Sequence, residues 1–256
     1  MNTETRRERS PIQGFTLIEL ITVINIVGIL AGLLYPTITG ILNRAKRAES
    51  SNNLKQIANA YQQYRSDNNG RNVPIRIAKN PNSGQDAVFE ATTVYHLAYE
   101  LAWRGYLNEG AIYQISTDRH VELKGVKPQA VAERDSADSP WVLSQIFSQS
   151  AVSFDLVAGL SYNAPSSAPV AFTRGLDSQT RKWDSDEFVS PYGADGGHIA
   201  FLDGHVEWFS STNGELTNPV TRRPTTNFLQ SISQGARIFG DLDQSLLDGR
   251  EGISSN

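Results

Sequence analysis

The chain of 256 residues contains no cysteine and carries no excess of positive charge. Without cysteine it can form no disulfide, no metal site with thiolate ligands and no cysteine nucleophile. The net charge of −4 argues against a general nucleic-acid binder, because binding to phosphates favours a basic surface. The patterns His-Glu-x-x-His and Gly-x-Ser-x-Gly are also missing. We therefore expect neither a nucleic-acid partner nor an enzyme of these classes.

Charge is almost absent from one segment near the N-terminus. Between Arg9 and Arg44 the only charged side chain is Glu19. Residues 15–35 form an apolar stretch that ends at Pro36. As an α-helix rising about 1.5 Å per residue, this stretch is about 31 Å long and matches a hydrocarbon core of about 30 Å. A cleaved secretory signal would have a shorter apolar region, whereas composition does not exclude a plain signal anchor. We predict a membrane-spanning helix.

Glu19 lies inside this apolar stretch, where a carboxylate costs about 2.5–3.5 kcal/mol on insertion scales. The sequence places no basic residue within one turn of it. One interpretation is that Glu19 reaches the membrane interface. The other is that a cut between Gly14 and Phe15 creates an α-amino group, with a pKa of about 7.7–8.0, that pairs with the carboxylate. That amine would belong to the same chain or to a neighbour, and the second case favours assembly.

The sequence Gly-Phe-Thr-Leu-Ile-Glu at Gly14–Glu19, with the apolar stretch and Pro36, resembles the N-terminus of type IV pilins and type II secretion pseudopilins. The resemblance implies that residues 1–14 are a leader and that a membrane-embedded prepilin peptidase cuts after Gly14. It also implies N-methylation of Phe15 and pairing of Glu19 with the N-terminus of a neighbouring subunit. Asn25 departs from the family, which usually has a small apolar residue there.

Three residues mark the weakest part of the predicted helix. Gly28 and Gly32 have the Gly-x-x-x-Gly spacing that lets helices approach closely, and Pro36 removes a helical hydrogen bond. In the filaments that the sequence resembles, this part of the helix loosens when subunits pack. We therefore assign Gly28, Gly32 and Pro36 to assembly.

After Pro36 the helical pattern resumes and predicts a helix over 37–66 that ends at Asn68-Asn69-Gly70. Residues 67–256 would form a globular domain. The resemblance implies an α+β, pilin-like fold, in which a long N-terminal helix has a membrane half (15–36) and a periplasmic half (37–66) and packs on a C-terminal antiparallel β-sheet. The predicted inner face of the helix contains Leu54, Ile57, Ala58, Tyr61 and Tyr64. The predicted outer face, solvated or in contact with acidic neighbours, contains Arg44, Lys46, Arg47, Lys55 and Arg65.

Within the globular domain, apolar spacing predicts a second helix over 92–104 that stops at Gly105. The segment 110–129 favours one or two strands. The segments 152–160 and 168–173 favour buried strands.

The dipeptide Asp203-Gly204 between alternating apolar residues predicts a β-hairpin with a two-residue type I′ turn. In that register the apolar face would contain Ile199, Phe201, Val206 and Trp208. The surrounding segment 191–206 resembles the C-terminal signature of a large bacterial group of prepilin-type proteins, which have a histidine nine residues before Asp-Gly. Gly193 occupies that position here, so no ligand role of the histidine is transferred.

Acidic residues near the hairpin are candidate metal ligands. Calcium takes six to eight oxygens, and the C-terminal loop of major pseudopilins, which the chain resembles, holds calcium through oxygen ligands. Asp184, Asp186 and Asp195 could supply such ligands, whereas the alternative is that they only solvate a loop.

The expected protein is a non-enzymatic pseudopilin-like subunit that prepilin peptidase processes and that polymerises into a periplasmic fibre for type II protein secretion. Its implied partners are like subunits, other pseudopilins, an inner-membrane assembly platform and membrane lipid. It would span the bacterial inner membrane once, with a periplasmic C-terminal domain. A minor type IV pilin in adhesion, motility or DNA uptake is the alternative, because both classes share this N-terminus. A less favoured alternative is an anchored carbohydrate-binding or hydrolase domain, suggested by Trp141, Trp183 and Trp208. It would need a concave aromatic surface or two carboxylates at the separation found in glycosidases.

Overall fold

The structure is a computed structural model that describes residues 15–177, 180–213, 216–225 and 228–241. Side chains are described for all of these except 35–40, 42 and 43. The predicted leader, residues 1–14, lies outside the described residues. The chain divides into two compact units, Met1–Ala45 and Lys46–Asn256.

The α+β fold predicted from the sequence is confirmed by an N-terminal apolar helix, further helices and an antiparallel sheet. The α-helices are α1 (Leu17–Asp67), α2 (Val94–Trp103), α3 (Arg119–Lys124) and α4 (Gln145–Gln149), with 3₁₀ turns at Gly110–Tyr113, Gly193–Asp195 and Phe228–Gln230. The strands are β1 (Arg76–Lys79), β2 (Asp86–Glu90), β3 (Ala132–Glu133), β4 (Val142–Leu143), β5 (Phe154–Ala158), β6 (Pro169–Thr173), β7 (Leu176–Asp177), β8 (Lys182–Trp183), β9 (Gly197–Phe201), β10 (Val206–Phe209), β11 (Leu216–Thr217), β12 (Pro224–Thr225) and β13 (Arg237–Phe239).

Helix α1 ends as the Asn-Asn-Gly sequence predicts. Asn69 and Gly70 have positive φ values of 54° and 80°, and the Gly70 N–H donates to the Arg65 carbonyl at 2.8 Å. This is the Schellman arrangement, in which left-handed residues after the helix satisfy its last carbonyls.

The core of the second unit surrounds a five-stranded antiparallel sheet in the order β10-β9-β6-β5-β13. Strands β5, β6 and β9 are buried at every residue, so both faces of the sheet are covered. They confirm the buried strands predicted over 152–160 and 168–173. The Tyr61 hydroxyl of α1 donates to the Val157 carbonyl of β5 at 2.9 Å. The predicted inner face of α1 belongs to the same buried cluster, where each fully buried large apolar side chain contributes about 1.5–3 kcal/mol.

Helix α2 confirms the helix predicted over 92–104. The four residues expected on its apolar face are buried, and Gly105 follows with a φ of 86°. They are Val94, Leu97, Ala98 and Leu101.

The prediction of strands within 110–129 was wrong. This segment forms the 3₁₀ turn at Gly110–Tyr113 and helix α3. A carboxylate oxygen of Asp118 accepts the His120 N–H at 3.0 Å, and Gly125 closes the helix with a φ of 65°. Caps at both ends thus stabilise a short helix in a sequence whose apolar alternation alone favours a strand.

The hairpin between β9 and β10 exists, but its turn differs from the predicted one. The Phe201 N–H donates to the His205 carbonyl at 3.0 Å, which leaves Leu202, Asp203 and Gly204 as a three-residue loop. Gly204 has a φ of 88°, whereas Asp203 is not among the residues with positive φ. A single left-handed glycine is typical of the three-residue hairpin loop with a bulge, and a type I′ turn requires two positive φ values.

The longer loop moves the strand register by one residue. The paired residues are Val206 and Ala200, Glu207 and Ile199, Trp208 and His198, and Phe209 and Gly197. The predicted face of Ile199, Phe201, Val206 and Trp208 was therefore wrong. Ile199 and Phe201 share their face with Phe209, since a slip of one residue transfers side chains to the opposite face. Trp208 lies on the other face and is half-buried.

Candidate functional site

The predicted processing site lies at the start of the described chain. Gly14 lies outside the described residues, so the structure does not test the cut. The Phe15 side chain is 71% exposed, and α1 begins two residues later at Leu17.

Glu19 has a partner in its own chain that a search for basic residues misses. One of its carboxylate oxygens accepts the Thr16 N–H at 2.9 Å and the Thr16 hydroxyl at 2.6 Å. The Glu19 N–H in turn donates to the Thr16 hydroxyl oxygen at 3.3 Å. This reciprocal pair is a capping box, and the spacing Thr-x-x-Glu was the signal that predicts it. The capping box satisfies hydrogen bonds but brings no positive charge to the carboxylate.

The helix that follows Glu19 exposes its apolar surface. Residues Leu17–Leu34 have a mean hydropathy of 2.4 and none of them is buried. The segment is long and apolar enough to cross a membrane, and a signal sequence near the N-terminus would meet the same criterion. Added Cβ atoms at Gly28 and Gly32 would meet no atom within 4 Å. Contacts within the chain therefore do not require glycine at either position. Pro36 lies within α1, but its side chain is not among those that the structure describes.

Within the second unit, the turns of α1 that begin at Lys46 contact the segment around β9. The Lys46 ammonium donates to the Pro191 carbonyl, and the Tyr192 hydroxyl donates to the Lys46 carbonyl at 3.0 Å. The Ser50 hydroxyl and His198 Nδ1 are hydrogen-bonded at 3.0 Å in a buried position.

Arg47 joins these contacts through its guanidinium group. The guanidinium carbon lies 3.8 Å from the centroid of the Trp208 ring, and an Arg47 nitrogen lies 3.6 Å from an Asp195 oxygen. Edge-on contacts place the Trp208 ring 5.0 Å from Tyr192 and 4.9 Å from His198. We name these residues the helix-docking cluster: Lys46, Arg47, Ser50, Tyr192, Asp195, His198 and Trp208. On the predicted outer face of α1, Lys46, Arg47 and Arg65 are half-buried rather than fully solvated, whereas Arg44 and Lys55 are exposed.

Burial sets the charge state of this cluster. Burial, together with the positive charge of Arg47, lowers the pKa of the His198 imidazole to about 4. His198 is therefore neutral near pH 7. Burial also raises the pKa of the Tyr192 hydroxyl, which remains a donor.

The candidate metal ligands do not converge. Asp184 accepts the Asp186 N–H at 2.8 Å, and Asp186 accepts the Phe188 N–H at 2.9 Å, so both carboxylates stabilise turns of an exposed loop. Asp195 faces Arg47. Among the residues that the structure describes, no group of three or more histidine or acidic side chains could hold a metal ion. The donors present in the described residues do not fit a calcium site.

Gly193, at the position of the family histidine, has a φ of 54°. An added Cβ there would lie 3.3 Å from the Ser185 carbonyl oxygen. The glycine therefore suits a left-handed turn rather than a ligand role.

The three tryptophans considered for a carbohydrate site do not form a shared surface of uncovered rings. Trp183 is only 3% exposed, and its indole N–H donates to the Thr173 carbonyl at 2.9 Å. The Arg134 guanidinium carbon lies 4.7 Å from the Trp141 ring centroid, and Arg47 covers Trp208. A sugar stacking on those two faces would have to displace an arginine.

Comparison with known proteins bears on the N-terminal segment. Residues 9–35 match the family described as the prokaryotic N-terminal methylation motif. Over 95 residues the chain is 32% identical to the type II secretion system core protein G of Escherichia coli (strain K12). The two matches support an N-terminal segment of the kind found in type IV pilins and pseudopilins.

The similarity of the chain to core protein G is partial. It covers 37% of the chain and 61% of the relative's length, which is less than two thirds. No solved structure gives a significant match. The apolar helix and the methylation motif together indicate a single membrane anchor in the N-terminal segment.

A buried ion pair in the globular unit was not predicted from the sequence. The Arg174 side chain is fully buried and lies 3.0 Å from an Asp118 carboxylate oxygen. Arg174 also donates to the carbonyls of Val189 at 2.9 Å and Phe188 at 3.0 Å. The Ser153 hydroxyl donates to the other Asp118 oxygen at 2.6 Å. The pair connects the end of β6 to the cap of α3, and an arginine directly after a buried apolar strand was its sequence signal.

Proposed function

We propose that the chain is a structural pseudopilin subunit, cleaved by prepilin peptidase after Gly14, N-methylated at Phe15 and polymerised through its N-terminal helices into a periplasmic fibre for type II protein secretion. The observation that supports this most is the methylation motif at residues 9–35, followed by a wholly exposed apolar helix. An exposed apolar helix requires lipid or other helices around it.

Glu19 supports assembly rather than simple anchoring. Its carboxylate has hydrogen-bond donors from Thr16 but no cation within the described turn. In an apolar environment an ammonium group nearby lowers the energy of a carboxylate much more than it does in water. The α-amino group that processing would create on Phe15 of a neighbouring subunit supplies that charge.

The similarity to a type II secretion protein favours secretion over pili, although it covers only part of either chain. In the proposed arrangement the second unit lies in the periplasm of a bacterium with two membranes. Like subunits, other pseudopilins, the inner-membrane assembly platform and lipid are the proposed partners.

Deletion of the gene tests this function. We expect loss of exported enzymes from the medium while twitching motility and DNA uptake are unchanged, with export restored by the wild-type gene. The opposite pattern, normal export with loss of twitching or DNA uptake, would identify a minor type IV pilin.

A further inference from the structure

Asp241 lies two residues after the end of β13, and its carboxylate is buried, with a side chain that is 9% exposed. One carboxylate oxygen accepts the Val152 N–H at 2.9 Å, two residues before β5 begins. The other oxygen accepts the Tyr95 hydroxyl of α2. The Nδ1 atom of His120, in α3, lies 3.8 Å from the first of these oxygens. One carboxylate therefore joins the end of β13 to α2, α3 and the start of β5.

Strand β13 itself buries little surface. It contains three residues and forms one edge of the five-stranded sheet. Arg237 is exposed and Ile238 is half-buried, so Phe239 is the one residue of the strand that is buried. The exposed pair of Arg237 with Glu90 adds little, because solvent screens such pairs. A short edge strand of this kind opens locally at a low free-energy cost unless a further contact holds it.

Strand β5 is the strand that β13 covers. All five residues of β5 are buried, and its other edge pairs with β6. The pairs between β13 and β5 are Arg237 with Ala158, Ile238 with Val157, and Phe239 with Leu156. If β13 opened, backbone N–H and C=O groups of an apolar strand would lose their partners. An unpaired edge of this kind is a template for pairing with another chain.

We infer that Asp241 is a latch that keeps β13 on the edge of β5 and thereby prevents exchange of this strand between two copies of the chain. A second copy is the partner that fits the uncovered edge, because its own β13 has the sequence and the register that the edge already accepts. Exchange of the identical strand would restore the same strand pairs within a dimer. This role does not depend on the filament proposed above.

A pair of introduced cysteines tests the latch, because the chain has no cysteine of its own. Arg237→Cys and Ala158→Cys place two thiols at paired positions of β13 and β5, within the short Cα separation that a disulfide requires. The reduced full-length protein is incubated in detergent micelles at high concentration and then oxidised. In this background the disulfide should form within one molecule. When Asp241→Ala is added, we expect the yield of disulfide-linked dimer on a non-reducing gel to rise by about tenfold, the effect on strand opening of losing one hydrogen bond to a charged group.

Tyr99→Phe in the same cysteine background is the matched control. Tyr99 also belongs to α2, but its hydroxyl donates to the Trp141 carbonyl at 2.7 Å and not to Asp241. This variant should remain monomeric. Tyr95→Phe removes the hydroxyl that contacts both Asp241 and the Ser150 carbonyl, and it should raise the dimer yield as Asp241→Ala does.

Hydrogen exchange separates opening of β13 from loss of the fold. In Asp241→Ala, exchange of the protected amides at 237–239 should accelerate by about tenfold, while the amides of β6 and β9 stay protected. If Asp241→Ala does not fold, Asp241→Asn decides the question, because it retains an oxygen acceptor for the Val152 N–H and loses only the charge. Unchanged exchange at 237–239 would overturn the latch. Faster exchange without disulfide-linked dimers would overturn the exchange of β13 between copies.

Discussion

The guanidinium group of Arg174 is fully buried and lies 3.0 Å from a carboxylate oxygen of Asp118, whose other oxygen accepts the Ser153 hydroxyl. Removal of one member of a buried pair leaves the other charge buried without compensation. We therefore expect Arg174→Met to lower the free energy of unfolding by about 3–5 kcal/mol. Denaturant unfolding of the full chain in detergent measures this. Arg237→Met is the control, because its pair with Glu90 is exposed and such pairs contribute about 0–1 kcal/mol. Equal effects of both substitutions would contradict the buried role of Arg174.

Processing is predicted at Gly14. The mature protein should begin at an N-methylated Phe15, and Gly14→Val should leave a full-length precursor in the membrane. Intact-mass measurement of both proteins distinguishes these states. Retention of Met1 in the working form of the wild type would contradict the proposed processing.

Glu19 is predicted to be needed for assembly and not for insertion. Glu19→Val makes the span more apolar, so membrane insertion should persist, while the yield of sheared fibres or cross-linked multimers should fall strongly. Thr22→Val is the matched control, since the Thr22 hydroxyl donates to the Ile18 carbonyl one turn away and carries no charge. Normal fibre yield with Glu19→Val would show that the carboxylate is dispensable.

The observed register of the hairpin predicts which substitution is costly. Phe209 is 5% exposed and shares the buried face of Ile199 in the observed register, whereas the type I′ register would place it on the opposite face, so Phe209→Ala should cost about 3–5 kcal/mol of unfolding free energy. Glu207 on the same strand is exposed, and Glu207→Ala should change that free energy by less than about 0.5 kcal/mol. Thermal unfolding of both variants tests the register. An effect of Phe209→Ala as small as that of Glu207→Ala would favour the type I′ register instead.

Acid should destabilise the folded chain through its buried histidines. Burial lowers the pKa of His198 and of His96, and burial together with the Arg174 charge lowers the pKa of His120. The stabilising contribution of neutral His198 is complete at pH values above its unfolded-state pKa of 6.5. It is lost as the pH falls toward the folded-state pKa of about 4, because in this range only the unfolded chain binds the proton. The melting temperature of His198→Gln should therefore fall less steeply over this pH range than that of the wild type. Parallel pH profiles would show that His198 does not contribute.

Calcium is predicted to leave stability unchanged, because the carboxylates of Asp184 and Asp186 already accept backbone N–H groups and Asp195 faces Arg47. Melting curves of the full chain with calcium and with EDTA should coincide. A ligand that binds the folded state would raise the melting temperature with its concentration. A shift of many degrees would restore these aspartates as calcium ligands.

Local patterns in the sequence were sufficient for several elements. The apolar stretch after Phe15, the end of α1 at Asn69 and Gly70, the face of α2 and the buried strands β5 and β6 each depend on spacing or on one turn of backbone. Such features are set by residues a few positions apart, so they can be read without knowing the fold. The capping box of Thr16 and Glu19 is equally local and was readable in the same way.

Tertiary structure decided the rest. The register of the hairpin depends on whether Asp203 and Gly204 form a two-residue loop or share a three-residue one, and both satisfy the same dipeptide preference. The pair of Arg174 and Asp118, and the stacking of Arg47 on Trp208, join residues far apart in the chain. The pair of Arg174 and Asp118 forms only when packing brings both groups out of water together, because burial makes an unpaired charge costly and a paired one tolerable. The sequence by itself therefore determined the apolar segment and its methylation motif, and only the packing of the globular unit determined which residues of α1 are buried.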